Sequence, residues 1–247
     1  MKALILAAGL GARLGSITDN KPKALVEVNG IPLIEIVIKR LIDSGFNSLI
    51  VNVHHYAEQI MNYLNMKKNF GIEIKISDES NQLLDTGGGL KKAAWFFNNG
   101  KPFLVHNVDI LTDLDLYKLY NFQLSNGCIA TLAVQQRKSS RYFLFDEQKK
   151  LCGWQNEKIN EIKMARKPEG NLSKLAFSGI HAADPIIFNF MPKDKIFSLV
   201  DLFLQVASLH QITYFEHTNS LFMDLGKKEN LVKAEQLLKE KILYEPK

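Results

Sequence analysis

The chain has 247 residues, 46% hydrophobic and 23% charged, with 31 Lys and Arg against 26 Asp and Glu for a net charge of +5. That composition is one for which disorder is not expected, and it supplies apolar mass for a sizeable core; the sequence contains no run of about 18 apolar residues to span a bilayer, and the run from Ala3 to Ala8 is too short for a secretory leader. Cys128 and Cys152 lack partners at metal-ligand spacing and read as buried thiols, and the dispersed basic residues form no nucleic-acid signature, so a cytoplasmic protein is expected.

The first element is an apolar strand, Met1 to Leu6, which gives way to Ala7-Ala8-Gly9-Leu10-Gly11-Ala12-Arg13-Leu14-Gly15. Gly9, Gly11 and Gly15 permit positive φ and close approach of a ligand, and amides exposed in such a turn form a nest for an anion. Arg13 offers a planar fork for phosphate oxygens, and Lys23, directly after Pro22, a flexible point charge. Neither standard phosphate loop fits. Ser16-Ile17 stands where a P-loop has Lys-Ser/Thr, Leu14 takes the third glycine position of G-x-G-x-x-G, and no helix is expected before Pro22.

Pro32 to Ser44 carries an apolar helical face closed by Gly45, Ser48 to Val53 is a buried strand, Tyr56 to Asn65 is helical, and Ile72 to Ile76 alternates as a strand with one buried face. This βαβαβ order predicts a mainly parallel sheet with right-handed crossovers and ligands beyond the carboxyl ends of the strands, where the glycine loop and His54-His55 lie. Asp85-Thr86-Gly87-Gly88-Gly89 then precedes an amphipathic segment, Leu90 to Phe97, so bare backbone is expected at a helix N-terminus. The strand Lys101 to His106 ends in Asn107-Val108-Asp109, placing a carboxylate at the ligand-binding end of the sheet.

A helix from Leu114 to Ser125 ends at Asn126-Gly127, and Ile129 to Val134 is a strand. Arg141 to Phe145 and Leu151 to Trp154 read as a hairpin, followed by a polar, irregular stretch to Ser173 that includes Glu157-Lys158. Leu175 to His181 alternates as a strand containing Phe177-Ser178-Gly179-Ile180. Helices are expected from Asp184 to Met191 and from Lys195 to His210, then a strand from Gln211 to Phe215. Phe222-Met223-Asp224-Leu225-Gly226 precedes a closing helix from Lys228 to Lys241.

Leu6-Ala7-Ala8-Gly9, Gly11, Arg13 and Pro22-Lys23 together resemble the signature of the sugar-1-phosphate nucleotidyltransferases. The resemblance implies an α/β fold, a glycosyltransferase-A-like Rossmann variant whose mixed, mostly parallel sheet is flanked by helices. It implies a single nucleotidyltransferase domain over 1–247, with a nucleotide-binding part at 1–135 and a sugar-binding lobe and closing helices at 136–247. By the same resemblance, Arg13 and Lys23 are the catalytic cations that grip the nucleotide phosphates. Leu6, Ala7, Ala8, Gly9 and Gly11, with Asp85, Thr86, Gly87 and Gly88, lie against the nucleotide. Asn107, Lys158 and Gly179 face the sugar, and Asp109 and Asp224 hold Mg²⁺. Four departures stand out: Val108 replaces the glycine of N-G-D, Ile159 the proline of E-K-P, and Phe222 and Lys227 the tryptophan and threonine of W-x-D-V-G-T-P.

The partners so implied are a nucleoside triphosphate and a sugar 1-phosphate, giving a nucleotide sugar and pyrophosphate, with no nucleic acid and no membrane. The Asp85 to Gly88 turn is closest to the uridylyltransferase form, in particular the branch acting on N-acetylmuramate 1-phosphate, so UTP is the expected triphosphate. A guanylyltransferase of mannose or heptose 1-phosphate is the alternative within the reaction class, and a nucleotide-sugar sensor without turnover is the competing class. No hexapeptide repeats occur, so no β-helix domain is expected. The sugar and the oligomeric state stay open.

Overall fold

The structure, a computed structural model, describes residues 1–239. β1 (Lys2–Leu6) is buried after its first residue and runs into a loop that tightens to a 3-10 helix at Ala12–Thr18, kinked at Gly15. That helix replaces the open loop expected before Pro22. Thr18 closes it, sharing its hydroxyl between the Gly11 and Gly15 carbonyls at 3.3 and 3.1 Å. A second 3-10 turn (Lys23–Leu25) follows Pro22 and leads to the short paired strands β2 (Glu27–Val28) and β3 (Ile31–Pro32). α1 (Leu33–Asp43) starts after Pro32 and is followed by Gly45 at φ 85°, the left-handed conformation a helix end favours. β4 (Ser48–Val53), α2 (Ala57–Met66) and β5 (Glu73–Asp78) complete the expected βαβαβ order. In β5 Ile74 and Ile76 are half-buried and Glu73 and Lys75 exposed, so the expected alternation is present, but as the outer strand of the set it buries only Ser77 fully.

α3 (Asp85–Lys92) corrects a further expectation: the glycine triplet lies inside the helix, which ends at Lys92 and gives way to a 3-10 turn at Ala94–Phe96. β6 (Phe103–Asn107), β7 (Ile110–Thr112), α4 (Leu116–Asn126) and β8 (Ala130–Gln135) follow, and β9 (Arg141–Phe145) and β10 (Leu151–Asn156) form the expected hairpin. The stretch expected to be irregular contains β11 (Glu161–Met164), paired with β10. β12 (Ser173–Ala183) shifts register between Phe177 and His181, around Gly179 at φ 72°. Pro185–Phe190 is a 3-10 helix, and the helix expected over Lys195 to His210 is the shorter α5 (Leu199–Ala207). Its start is set by Ser198, whose hydroxyl accepts the Asp201 N–H at 3.1 Å. β13 (Ile212–Glu216), β14 (Phe222–Asp224) and α6 (Lys228–Lys239) end the described chain; the last residues of the expected closing helix, to Lys241, lie outside it.

The chain forms two compact units, the first built from Met1–Leu83, His106–Leu116 and the segment from Ser220 onward. In it β4 lies between β1 and β5, all parallel. α1 buries Leu33, Ile34, Ile36, Val37, Ile38 and Leu41 together with one carboxylate, Glu35. Glu35 accepts from the Tyr63 hydroxyl and from the Lys39 and Lys67 ammonium groups, the latter at 2.7 and 3.1 Å. Burial pushes its pKa up, but the hydrogen bonds from Lys39, Tyr63 and Lys67 outweigh it and hold the group at about 2, down from 4.5.

Because the folded value lies below the unfolded one, Glu35 stabilises the protein above pH 4.5 and loses that contribution as pH falls toward 2. Glu35→Gln is therefore expected to flatten the thermal midpoint against pH in that window. At neutral pH it should cost about 1–2 kcal/mol, a figure discounted for the half-exposed lysines. A midpoint profile superimposable on the wild type would refute the assignment.

The second unit comprises Leu84–Val105 and Tyr117–Asn219. Within it β11, β10, β9 and β12 are antiparallel neighbours in that order, and β8 pairs with β12 antiparallel and with β13 parallel. Its core is aromatic: Phe143, Phe177 and Phe203 meet edge to face, and Phe97, Phe103 and Phe188 stack with centroids 4.0 and 5.4 Å apart. Burial raises the Cys152 thiol to about 11 and also lifts Cys128, so both are the inert buried thiols expected. The architecture is the anticipated mixed α/β sheet with flanking helices. No helix among the described residues is long and apolar enough to cross a membrane.

Candidate functional site

In the first unit, β7 and β14 pair antiparallel with Asp224 opposite Ile110, which brings Asp109, the residue before β7, beside Asp224. The Leu225 N–H donates to the Asp109 carbonyl at 2.8 Å. The Gly226 N–H donates to Asp224 Oδ1 and the Asn230 side-chain amide to the Asp224 carbonyl, both at 2.9 Å. Asp224 is thereby held in backbone and side chain, and Asp109 in its backbone.

Two cations converge on it. Arg13 addresses Asp224 with both terminal nitrogens, at 3.0 and 3.4 Å, and comes within 3.9 Å of Asp109. Lys23 donates to Asp109 and is only 8% exposed, a burial that a lysine tolerates when paired. The side chain of Arg13 is 58% exposed and so open to solvent beyond its bonds to Asp224. All four residues nominated from the sequence as catalytic or metal-holding thus meet inside one unit.

Sequence reasoning missed Gly226. A Cβ there would lie 2.5 Å from Arg13 Nη2, 2.7 Å from Lys23 Nζ and 2.8 Å from Asp224 Oδ1, so any side chain at this position would push the charged ends of the cluster apart. The signal lay in the Phe222 to Gly226 motif, read only for its aspartate.

The glycine loop leads into this cluster. Leu6, Ala7 and Ala8 are buried, whereas Gly9, Leu10, Ala12 and Arg13 are exposed. Gly11, at φ 73°, must be glycine, since a Cβ would sit 2.8 Å from the Thr18 methyl and 3.2 Å from Lys23 Cβ. The Leu6 carbonyl accepts the Val108 N–H at 3.1 Å, and the amides of Ala7 and Ala8 both donate to Asn52 Oδ1, a second residue that sequence reasoning did not single out. Val108, the departure from N-G-D, buries its side chain. Asn107 is half-buried two residues before Asp109. Its neighbour His106 is fully buried, and burial holds the imidazole near pKa 4, neutral at physiological pH, with Nδ1 donating to the Asn107 carbonyl at 2.8 Å. His54, at the end of β4, uses Nδ1 to donate to the Glu79 carbonyl at 2.7 Å.

In the second unit, Asp85 is exposed at φ 59° and its Oδ1 accepts the Thr86 N–H at 2.5 Å. Thr86 in turn accepts the Leu199 N–H at 3.0 Å. Gly87 and Gly88 are buried, and their amides donate to the Phe197 carbonyl at 2.9 and 3.2 Å. A Cβ at Gly87 would strike the Phe197 ring at 2.4 Å and one at Gly88 the Lys195 carbonyl at 2.1 Å. The close approach of 195–197 explains why glycines occupy a helix they would otherwise weaken by about 0.5–1 kcal/mol each. Lys158 is exposed in the β10–β11 turn, and Gly179 is buried at the irregularity of β12.

Among the described residues no group of three or more His, Cys, Asp or Glu converges, so Asp109 and Asp224 are the candidate metal ligands as a pair. Two oxygen donors spanned by one guanidinium suit a hard divalent cation that completes its shell with phosphate oxygens and water. The charge argument agrees. The formal charges of Arg13, Lys23, Asp109 and Asp224 cancel, so the cluster alone offers an anion no net attraction; a cation on the aspartates restores it and frees the two basic side chains for phosphate.

A mixed α/β sheet, a glycine loop after its first strand and an Arg–Lys pair on two aspartates define a nucleotide-handling protein of the Rossmann-like class. The sequence matches the nucleotidyl transferase family over residues 2–241, and the chain belongs to that family. It is 31% identical over 242 residues to the UTP–glucose-1-phosphate uridylyltransferase of Synechocystis sp., an alignment covering 92% of this chain and 60% of that protein. It is 29% identical over 237 residues to the N-acetylmuramate alpha-1-phosphate uridylyltransferase of Neisseria meningitidis serogroup B, covering 96% of this chain and 98% of that one. The crystal structure of HddC from Yersinia pseudotuberculosis shares the fold, with a TM-score of 0.78 at 23% identity over 96% of this chain and 99% of that chain.

Proposed function

We propose that the chain is an enzyme that transfers a nucleoside monophosphate from a nucleoside triphosphate, UTP foremost, to a sugar 1-phosphate, releasing pyrophosphate and forming a nucleotide sugar. The observation that carries this reading is the convergence of Arg13 and Lys23 on Asp109 and Asp224 beside the glycine loop. The activities named for the Synechocystis and Neisseria relatives support UTP.

An oxygen of the sugar phosphate attacks the α-phosphorus, and the bond to the departing pyrophosphate breaks in line. No general base is needed, because a phosphate oxygen is already ionised at neutral pH. The work left to the protein is positioning, which can supply about 7–11 kcal/mol, and stabilisation of developing charge. The fork of Arg13 takes phosphate oxygens, Lys23 steadies the transferred phosphoryl group, and the amides at Gly9 and Gly11 receive the triphosphate. By the sequence resemblance, Asp85, Thr86, Gly87 and Gly88 are assigned to the base and ribose. Asn107, Lys158 and Gly179 are assigned to the sugar phosphate. Asp109 and Asp224 would hold Mg²⁺, which when bound would neutralise charge on the phosphates.

The test is pyrophosphate release with Mg²⁺ across the nucleoside triphosphates and a panel of sugar 1-phosphates. UTP-dependent release with one sugar phosphate is expected; no release with any pair would overturn the reading in favour of a binding protein. Chelation with EDTA is expected to lower the rate about a hundredfold or more, with recovery on adding Mg²⁺. Full activity in EDTA would remove the two aspartates from a metal role.

A further inference from the structure

Asn52 is 2% exposed in β4, opposite Leu6 of β1, and its side chain reaches out of its own strand. Oδ1 accepts two successive amides, from Ala7 at 2.6 Å and Ala8 at 3.3 Å, while Nδ2 donates to Glu79 Oε1 at 2.8 Å. Glu79, 1% exposed, is held in turn: its N–H donates to the Val53 carbonyl at 2.7 Å and its carbonyl accepts from His54 at 2.7 Å. The Asn52 amide therefore has one usable orientation. Flipped, it would set its NH₂ against two N–H groups and its oxygen against a carboxylate. On the opposite side the Leu6 carbonyl is fixed by the Val108 N–H at 3.1 Å. The backbone is pinned as far as Ala8 and emerges at Gly9, from which point the loop is mostly exposed.

We infer that Asn52 is the positioning residue of the glycine loop: one oxygen holding the amides of Ala7 and Ala8 sets the turn from which Gly9, Gly11 and Arg13 meet a triphosphate, and Glu79 keeps that oxygen aimed. The inference rests on the proposed function, which makes the loop a triphosphate site. It reassigns Ala7 and Ala8, whose amides serve the anchor and not the ligand.

Asn52→Leu keeps the volume and removes the acceptor. It is expected to raise KM for the triphosphate about tenfold or more, the size of effect typical of partners behind a binding residue, while KM for the sugar 1-phosphate changes by less than about twofold. Asn52→Asp faces Glu79 with a second carboxylate and is expected to be impaired in the same way. Combining Asn52→Asp with Glu79→Gln reverses the donor and acceptor of that bond while restoring an oxygen toward Ala7 and Ala8, and should bring the triphosphate KM back to within about threefold of wild type. This pair also serves as the readout if Asn52→Leu does not fold. An unchanged triphosphate KM in Asn52→Leu, or no recovery in the double variant, overturns the inference. Binding of a fluorescent triphosphate analogue separates the two levels: no binding by wild type overturns the loop assignment and the anchor together, whereas wild-type binding matched by Asn52→Leu overturns the anchor alone.

Discussion

Lys23→Met is expected to lower the turnover number by about 10²- to 10³-fold, the loss that follows removal of one preorganised charge-stabilising group from an active site. Lys23 emerges from the short turn after Pro22, is almost completely buried, and ends on Asp109. Its ammonium group therefore cannot be replaced by a mobile neighbour or by water. Stability should fall much less than the 3–5 kcal/mol that breaking a fully buried pair costs, since Asp109 is partly exposed and keeps Arg13 at 3.9 Å. Lys23→Arg should rescue little, because a planar guanidinium does not reproduce the compact ammonium group buried against Asp109. Steady-state kinetics beside a thermal melt decide the matter, and a turnover number within tenfold of wild type would end the assignment. The same reasoning gives Arg13→Ala a loss of turnover with an unchanged melt, its side chain being half-exposed and outside the core.

Gly226→Val should produce the second large effect without touching a charged group. The added carbons would fall among Arg13 Nη2, Lys23 Nζ and Asp224 Oδ1, all within 2.8 Å of the first of them. These are ends of flexible side chains, so the fold accommodates the valine by displacing both cations. A shift of about 1 Å in a catalytic group costs on the order of a hundredfold in rate, which is the loss expected in turnover, with the thermal midpoint moving by only about 2 °C. A collapsed midpoint with turnover intact would show that this glycine serves packing and not the cluster.

The aspartates, Arg13 and Lys23 are legible in the sequence because their residue types follow strand ends and turn signals in a fixed order. What they touch is not. Asn52 is a polar residue within the largely apolar strand Ser48 to Val53, and period alone cannot say that its amide reaches the turn that follows β1. The glycine triplet reads as a loop by propensity; the approach of Phe197 and Lys195 overrides that propensity and makes it a helix. β11 escapes notice because Glu161-Ile162-Lys163-Met164 alternates over four residues only, inside a polar stretch, and its apolar side chains stay exposed at the sheet edge. α5 starts later than its apolar face suggests, since capping by Ser198 outranks the apolar Ile196 before it. Local chemistry is written in the residues, and its partners are supplied by tertiary packing.

The first unit draws its parts from three separated stretches of chain, and Arg13 meets a carboxylate 211 positions away. Closing so long a loop is entropically slow, so on the ribosome both basic residues and Asp109 emerge long before the segment carrying Asp224 can dock. Competence therefore arrives late in synthesis, and a protease that severed the polypeptide ahead of Ser220 would leave the cations with half of their acidic counterpart.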